Sequence, residues 1–117
     1  IISLHAKLNN NSKQIIDYAA VSLMKRGVMI INTARGELID PDAVLNGLNS
    51  GIIAAIGLDV CTNEYQLTEL PKDPLLSASF TDRRIIVTPH AGGATHDAHA
   101  IVFNKIYRLV CNYLLRE

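Results

Sequence analysis

Arg35, Glu64 and His90 are the residues of this sequence whose side chains could combine in one reaction. The planar guanidinium of an arginine can bind a carboxylate in bidentate fashion and polarise an adjacent carbonyl oxygen. A histidine can take the proton of a hydroxyl group as hydride leaves the carbon, and can return it in the reverse direction. A glutamate bonded to the other ring nitrogen fixes the tautomer and stabilises the imidazolium. The combination suits hydride transfer at a 2-hydroxy or 2-oxo acid.

Residues next to these three suit contact with a cofactor. Asp59 follows an apolar run and could accept a hydrogen bond from the nicotinamide end of a cofactor. The small residues Ala91, Gly92 and Gly93 would let the backbone approach a ligand closely. Each residue is also ordinary when taken alone: the arginine and the glutamate could be solvated, the histidine and the aspartate could each bond a turn, and the glycines could form the turn into a helix.

The remaining histidines and the cysteines have weaker patterns. His96 and His99 are three residues apart on a predicted helix, which permits a shared metal, but no carboxylate or cysteine clearly completes a set, so no metal site is predicted. Cys61 lies near the predicted site without an obvious activating group, so a nucleophilic role is not expected. His5 could be a neighbour of the cofactor or an ordinary loop residue.

Four apolar runs predict the strands that position these residues. The runs are nearly continuous hydrophobes, which is typical of a parallel sheet covered on both faces. They lie at residues 1–4, 28–32, 54–58 and 84–88. Ligands bind at the carboxyl ends of parallel strands. Arg35, Glu64 and His90 each follow a different strand and are therefore expected at one edge of the sheet.

Helices are predicted between the strands and after the last one. Helical spacing indicates two short helices within residues 12–25 and a long final helix from about residue 95 to 115. Asp40 and Pro41 predict the start of a further helix, and Gly51 predicts its end.

The segment 61–83 shows little helix or strand pattern beyond the residues around Pro74. We expect this long loop to be functional because Glu64 lies near its start. The order of elements predicts an open parallel α/β sheet with right-handed crossovers.

Composition limits the classes of protein that fit. The chain has 117 residues, which allows one domain at most or a piece of a larger one. Its formal net charge is zero with acids and bases interspersed, so we expect neither a nucleic-acid nor a membrane partner. Two cysteines fit a reducing compartment, and we expect a cytoplasmic protein. The chain opens without Met on a strand-like run, which suggests that sequence is missing upstream.

Residues 24–40 closely resemble the signature of the D-isomer-specific 2-hydroxyacid dehydrogenases. Residues 57–60 and 88–95 match two further blocks of that family in the same order, and residues 3–5 resemble a fourth, weaker block. The resemblance covers nearly the whole chain. It implies a partial Rossmann-like open parallel sheet flanked by helices.

The resemblance also implies roles for individual residues. It makes Arg35 the arginine that binds the substrate carboxylate, Glu64 the partner of the histidine, and His90 the acid–base. It implies a set of neighbours of NAD(H): Thr33, Ala34, Arg35, Asp59, His90, Ala91, Gly92 and Gly93. Relatives that act on formate tend to have Gln where Glu64 stands, so a hydroxyacid substrate is favoured. A homodimer is implied as well.

The sequence departs from the family pattern at three positions. Lys7 and Tyr65 stand where proline is common, and Cys61 replaces the usual aromatic residue. The seven glycines do not form a G-x-G-x-x-G motif, so the phosphate-binding turn and the acid that contacts the ribose lie elsewhere. NADP is therefore not excluded as the cofactor.

Residues 1–117 are predicted to form the second half of a dinucleotide-binding domain, without the Gly-rich phosphate loop and without the substrate domain. The predicted function is that of the C-terminal portion of an NAD(H)-dependent enzyme that interconverts a 2-oxo acid and its D-2-hydroxy acid. The 117 residues alone are expected to bind dinucleotide weakly and to turn over little. Two alternatives stay open: a nicotinamide-sensing corepressor or scaffold of the same family, and an inactive remnant.

Overall fold

The computed structural model describes residues 1–66, 68 and 72–114. It contains a four-stranded sheet in the order β1-β2-β3-β4, and every neighbouring pair of strands is parallel. The strands are β1 (Ile2–Leu4), β2 (Val28–Asn32), β3 (Ile53–Leu58) and β4 (Ile85–Val87). The predicted parallel α/β sheet is therefore confirmed, with strand bounds close to those expected.

In the described part of the chain, four α-helices and the 3₁₀ turn after β2 follow or connect the strands. The helices are α1 (Tyr18–Ser22), α2 (Pro41–Ser50), α3 (Pro74–Ser79) and α4 (His96–Leu114), and the 3₁₀ turn spans Gly36–Leu38. The predicted end of the last helix at residue 115 lies outside the described residues. Among the described helices, none has the length and apolar character needed to cross a membrane.

The ends of α2 follow from the residues that the sequence places there. The Asp40 side chain accepts hydrogen bonds from the backbone N–H groups of Asp42 and Ala43, and Pro41 occupies the first turn, where it gives up no helical hydrogen bond. Gly51 ends the helix in the left-handed conformation at φ 72°, which favours glycine. The prediction for this helix is confirmed.

The same signals also start α3, in a segment predicted to be mostly a loop. Asp73 accepts hydrogen bonds from the N–H groups of Leu75 and Leu76, and Pro74 begins the helix. The other carboxylate oxygen of Asp73 accepts from the backbone N–H of Thr62, at 3.0 Å. This buried aspartate therefore ties the start of the segment to the start of α3.

The prediction of two helices within residues 12–25 is wrong, because only α1 forms there. The backbone groups of Ile16 bond elsewhere: its N–H donates to Leu38, its carbonyl accepts from Asp40, and it forms an isolated parallel bridge with Ile39. A residue whose backbone groups are engaged in this way cannot also belong to a helix. The chain turns into α1 only after Asp17, whose side chain caps that helix.

One core lies between one face of the sheet and the helices α1, α2 and α3. Alternate strand residues such as Ile30 and Ile56 point into it and are almost fully buried. On the other face Met29, Ile31 and Ile86 are 43%, 38% and 62% exposed. The expectation that both faces are covered is therefore wrong for the described residues, because all three of these helices pack on one side.

Helix α4 extends away from this core. Its apolar residues Ile101, Phe103 and Tyr107 are 68%, 70% and 70% exposed. The principal extents of 62 × 30 × 25 Å reflect this projecting helix.

Candidate active site

Glu64 and His90 are in direct contact at the carboxyl edge of the sheet, although 26 residues separate them in the sequence. The Oε1 atom of Glu64 lies 2.7 Å from Nδ1 of His90. The other carboxylate oxygen accepts a hydrogen bond from the backbone N–H of Cys61 at 3.2 Å, which fixes the carboxylate. Solvent reaches 14% of the Glu64 side chain and 40% of the His90 side chain. The histidine is therefore held on one side and open to a ligand on the other.

This contact assigns the tautomer of the imidazole. An ionised carboxylate only accepts hydrogen bonds, so Nδ1 of His90 carries a hydrogen. In the neutral ring Nε2 is then left as an acceptor. That nitrogen is available to take a proton from a bound hydroxyl group.

The turn that carries His90 is held by the carboxylate of Asp59. Asp59 is only 9% exposed and accepts from the Thr88 hydroxyl, from the Ala91 N–H at 3.0 Å and from the Gly92 N–H at 2.9 Å. These bonds enclose His90, which adopts the left-handed conformation at φ 53° that is uncommon for a residue with a side chain. The structure therefore gives Asp59 a clear role in the shape of the turn.

The same bonds lower the pKa of Asp59 below its ordinary value. The Thr88 hydroxyl makes the largest contribution, followed by the Gly92 N–H, while burial acts in the opposite direction. The Ala91 N–H and the charge of His90 lower the pKa of Asp59 further. Asp59 is therefore ionised under ordinary conditions, as its three donors require.

The two glycines of this turn differ in what surrounds them. A Cβ atom on Gly92 would lie 2.9 Å from the Oδ2 atom of Asp59, so the close approach of the carboxylate requires glycine there. A Cβ atom on Gly93 would meet nothing within 4 Å. Gly93 therefore faces open space, where a ligand could approach the backbone.

Arg35 lies on a neighbouring loop between β2 and the 3₁₀ turn. Its exposed guanidinium donates from Nη1 to the carbonyl oxygen of Ala34 at 2.6 Å. Thr33 is exposed and Ala34 is half-buried. The structure thus brings Glu64 and His90 together and places Arg35 on its own loop, bonded to its neighbour.

Backbone packing connects the Arg35 loop to the segment that leads to Glu64. A Cβ atom on Gly36 would lie 2.3 Å from the carbonyl carbon of Cys61 and 2.4 Å from the nitrogen of Thr62. No side chain fits in such a space. The position next to Arg35 is therefore fixed against the start of the Glu64 segment.

Asn32 is a residue at this edge that the sequence analysis missed. It is the last residue of β2 and is fully buried, and its side chain bonds the backbone of Ala34 and Arg35. A signal was present, since Asn32 is a polar residue that ends an otherwise apolar strand immediately before the Arg35 loop.

The other candidate residues have simple surroundings. Burial, and then the carboxylates of Asp73 and Glu64, raise the pKa of Cys61 to about 11, so this thiol stays protonated at neutral pH. The exposed ring of His5 is hydrogen-bonded at Nε2 to the Ser3 hydroxyl at 2.8 Å. Within the described part of the chain there is no group of three or more His, Cys, Asp or Glu residues that could hold a metal ion.

An open cavity of about 600 Å³ lies beside the Glu64–His90 pair. Leu76, Phe80 and Pro89 contribute to its mainly apolar wall. The pair is therefore reached from a recess and not only from the flat edge of the sheet.

A parallel α/β sheet with these loops at its carboxyl edge is typical of proteins that bind a dinucleotide. Residues 1–92 match the family model described as D-isomer specific 2-hydroxyacid dehydrogenase, NAD binding domain. The chain therefore belongs to this family.

Curated relatives have similar sequences over most of this chain. The aromatic 2-oxoacid reductase of Clostridium sporogenes is 39% identical over an alignment 106 residues long, which covers 84% of this chain and 31% of the relative. The D-2-hydroxyacid dehydrogenase (NAD+) of Lacticaseibacillus paracasei is 36% identical over 94% of this chain and 35% of the relative. The chain thus spans about a third of the length of the curated relatives it matches.

Solved structures share the fold. The structure of D-2-hydroxyisocaproate dehydrogenase matches with a TM-score of 0.80 and 35% identity, over 98% of this chain and 37% of that one. The D-lactate dehydrogenase of Lactobacillus jensenii, solved with NAD+, matches with a TM-score of 0.72 and 33% identity, over 80% of this chain and 30% of that one. The predicted family and the Rossmann-like sheet are therefore confirmed.

Proposed function

We propose that these residues form the C-terminal portion of an NAD(H)-dependent oxidoreductase that interconverts a 2-oxo acid and its D-2-hydroxy acid. The observation that carries the proposal is the 2.7 Å contact between Glu64 and His90 at the carboxyl edge of the sheet, with Arg35 on the adjacent loop. Membership of the dehydrogenase family supports the same reaction.

In the proposed mechanism His90 is the acid–base. During oxidation of the hydroxy acid, Nε2 accepts the hydroxyl proton as hydride leaves C2, and during reduction Nε2 returns a proton to the carbonyl oxygen. Glu64 holds Nδ1, which keeps Nε2 facing the reacting oxygen and stabilises the imidazolium that forms. Acid–base assistance of this kind accelerates reactions by about 10²–10⁴-fold.

Arg35 binds the carboxylate of the acid in this proposal. Its contact with the carbonyl of Ala34 uses one of the five N–H donors of a guanidinium. The remaining donors are sufficient for a bidentate contact with a carboxylate. The same charge polarises the adjacent carbonyl group, so hydride addition at C2 becomes easier.

The surroundings of the edge fit the nicotinamide end of a dinucleotide. Gly93 faces open space, and the exposed Thr33 offers a hydroxyl group. Asp59 engages three of its roughly four lone-pair positions with the protein, which leaves one for the amide of the cofactor. The proposed cofactor neighbours are Thr33, Ala34, Arg35, Asp59, His90, Ala91, Gly92 and Gly93. When bound, the cofactor accepts or supplies the hydride.

The domain assignment, the assembly and the location belong to the same proposal. The four parallel strands and the absence of a G-x-G-x-x-G motif from the sequence support residues 1–117 as the second half of a dinucleotide-binding domain. A homodimer is proposed on the family resemblance. A cytoplasmic location is proposed because the two cysteines, both free, fit a reducing compartment.

The test uses the protein encoded by the complete gene, NADH and a panel of 2-oxo acids. We expect NADH oxidation with at least one acid and a product that is the D-2-hydroxy acid by chiral chromatography. Absence of turnover on every acid would contradict the proposal. Binding of NADH with a change of oligomeric state and no turnover would instead favour a cofactor-sensing scaffold.

A further inference from the structure

Asn32 uses both ends of its side-chain amide on the loop that carries Arg35. Its Nδ2 donates to the carbonyl oxygen of Arg35 at 2.8 Å, and its Oδ1 accepts from the N–H of Ala34 at 3.0 Å. The side chain is 0% exposed. The conformation of the loop backbone is therefore set by a buried group that water does not reach.

The backbone of Asn32 extends this link to the turn that carries His90. The carbonyl oxygen of Asn32 accepts from the N–H of Asp59 at 2.9 Å. Asp59 in turn holds the N–H groups on the far side of His90. One residue thus contacts both the Arg35 loop and the residue that fixes the His90 turn.

The loop is fixed at two points, and Arg35 lies between them. Asn32 bonds the backbone of Arg35 on one side, and Gly36 packs against the backbone of Cys61 on the other. The base of the guanidinium side chain is therefore placed by its supports. The Arg35 side chain itself is exposed and donates a hydrogen bond to the carbonyl oxygen of its neighbour Ala34.

Other side chains cannot replace both bonds. Aspartate has a similar size and could still accept from Ala34, but it cannot donate to the carbonyl of Arg35 when ionised, and its charge would be buried. Alanine would lose both bonds. The pair of bonds therefore specifies an amide at this position.

We propose that Asn32 is a positioning residue for substrate binding: it holds the Arg35 loop so that the guanidinium meets the carboxylate of the 2-oxo acid. This inference rests on the proposed function, since it assigns Asn32 to the carboxylate-binding step. The side chain of Asn32 acts through Arg35, whereas its link to the His90 turn runs through the backbone carbonyl, which a side-chain substitution keeps.

The test compares Asn32→Ala, Arg35→Ala and the double variant in the protein encoded by the complete gene. We expect Asn32→Ala to lower kcat/KM for the 2-oxo acid by about 10- to 100-fold, mainly through a higher KM for the acid. The KM for NADH is expected to change by about twofold or less, because the loss is in carboxylate binding. In the Arg35→Ala background, Asn32→Ala should have little further effect on kcat/KM, since the two act as one unit.

Ser12→Ala is the matched control. Ser12 is also a buried polar residue that fixes a turn, through a 2.7 Å bond from its hydroxyl to the carbonyl of Lys7. The Ser12→Ala variant should have a lower thermal stability than the wild type and an unchanged KM for the acid. If Asn32→Ala folds too poorly, Asn32→Asp keeps the volume and one bond, and is expected to raise the same KM.

The outcomes separate the two proposals. If Arg35→Ala raises the KM for the acid but neither variant of Asn32 raises it more than Ser12→Ala does, the positioning role is wrong and the proposed function stands. Effects of Asn32→Ala and Arg35→Ala that multiply would also overturn it. A wild-type protein without turnover, or an Arg35→Ala variant with an unchanged KM, would overturn the proposed function and this inference together.

Discussion

Replacement of Glu64 by glutamine removes the negative charge beside the histidine, together with the oxygen that accepts from the Cys61 N–H. Glutamine has the same length and can still accept a hydrogen bond at the position where Glu64 Oε1 lies 2.7 Å from Nδ1 of His90. It cannot stabilise the positive charge that the imidazole gains when it takes the hydroxyl proton. The substitution should therefore slow catalysis and leave the fold almost unchanged.

The geometry sets the size of the effect. Two unit charges 2.7 Å apart attract each other by about 6 kcal/mol at an effective dielectric of about 20, which is an upper bound. Solvent reaches 40% of the His90 side chain and screens the pair. The free energy lost in Glu64→Gln is therefore better approximated by the difference between a charge-assisted and a neutral hydrogen bond, about 1–2 kcal/mol. That difference corresponds to a decrease of about 5- to 30-fold in kcat/KM.

The assay is NADH-dependent reduction of a 2-oxo acid at saturating NADH, with the Kd for NADH measured by fluorescence titration. Glu37→Gln removes the same charge from the 3₁₀ turn and not from the partner of His90, and serves as the control. We expect Glu64→Gln to lower kcat/KM in the stated range with an unchanged Kd, and Glu37→Gln to change kcat/KM by less than about twofold. Equal rates for Glu64→Gln and the wild type would refute the argument that this charge stabilises the imidazolium.

Three further predictions concern stability and reactivity. The pKa of Asp59 is lowered in the folded protein. The stabilising effect of its ionised carboxylate is therefore present above about pH 4 and is lost as the pH falls through the lower folded-state value. Urea denaturation at several pH values should find Asp59→Asn less stable than the wild type by about 1–3 kcal/mol at pH 7, with a shallower loss of stability in acid. Gly36→Ala should lower the free energy of unfolding by about 1–3 kcal/mol, because its Cβ would lie 2.3 Å from backbone. Gly57→Ala should lower it by less, because its Cβ would lie 3.2 Å from the end of a side chain. Equal losses of stability in the two variants would contradict this. Because the pKa of Cys61 is raised to about 11, only about one part in a thousand of this thiol is thiolate at pH 8. Mass spectrometry should therefore find Cys111 alkylated by iodoacetamide before Cys61 in the folded protein. The reverse order would show that Cys61 is reactive.

Structural features that depend on a few neighbouring residues were predicted well from the sequence. The strand runs and the caps at Asp40 and Gly51 depend on local backbone chemistry, which the sequence states directly. The cap at Asp73 has the same chemistry, but α3 is only six residues long, too short to show a helical period. One of the two helices expected within residues 12–25 does not form, because the backbone of Ile16 bonds a distant segment, which no local pattern reveals.

The pairing of Glu64 with His90 is also a long-range contact, and yet the sequence pointed to it. Both residues follow strands, and parallel strands bring their carboxyl ends to one edge. The support around the pair was harder to foresee. The bonds from Thr88 and Gly92 to Asp59, and those of Asn32 to its loop, depend on how closely backbone segments approach in three dimensions.

The exposed face of the sheet shows a different limit of prediction from sequence. The apolar runs correctly indicated strands with little polar surface, and residues such as Ile31 and Ile86 are apolar on the face that is exposed in the structure. The sequence therefore indicated correctly that both faces of the sheet are apolar, although the described helices cover only one of them.

The central claim is that His90 transfers the proton that accompanies hydride transfer at C2. The most direct measurement is the turnover number of His90→Gln at saturating NADH and 2-oxo acid, beside the exposed control His99→Gln on α4. The account predicts that His90→Gln loses about 10²-fold or more in kcat while its Kd for NADH stays near that of the wild type, and that the control keeps its rate. A His90→Gln variant with an intact kcat would contradict the account.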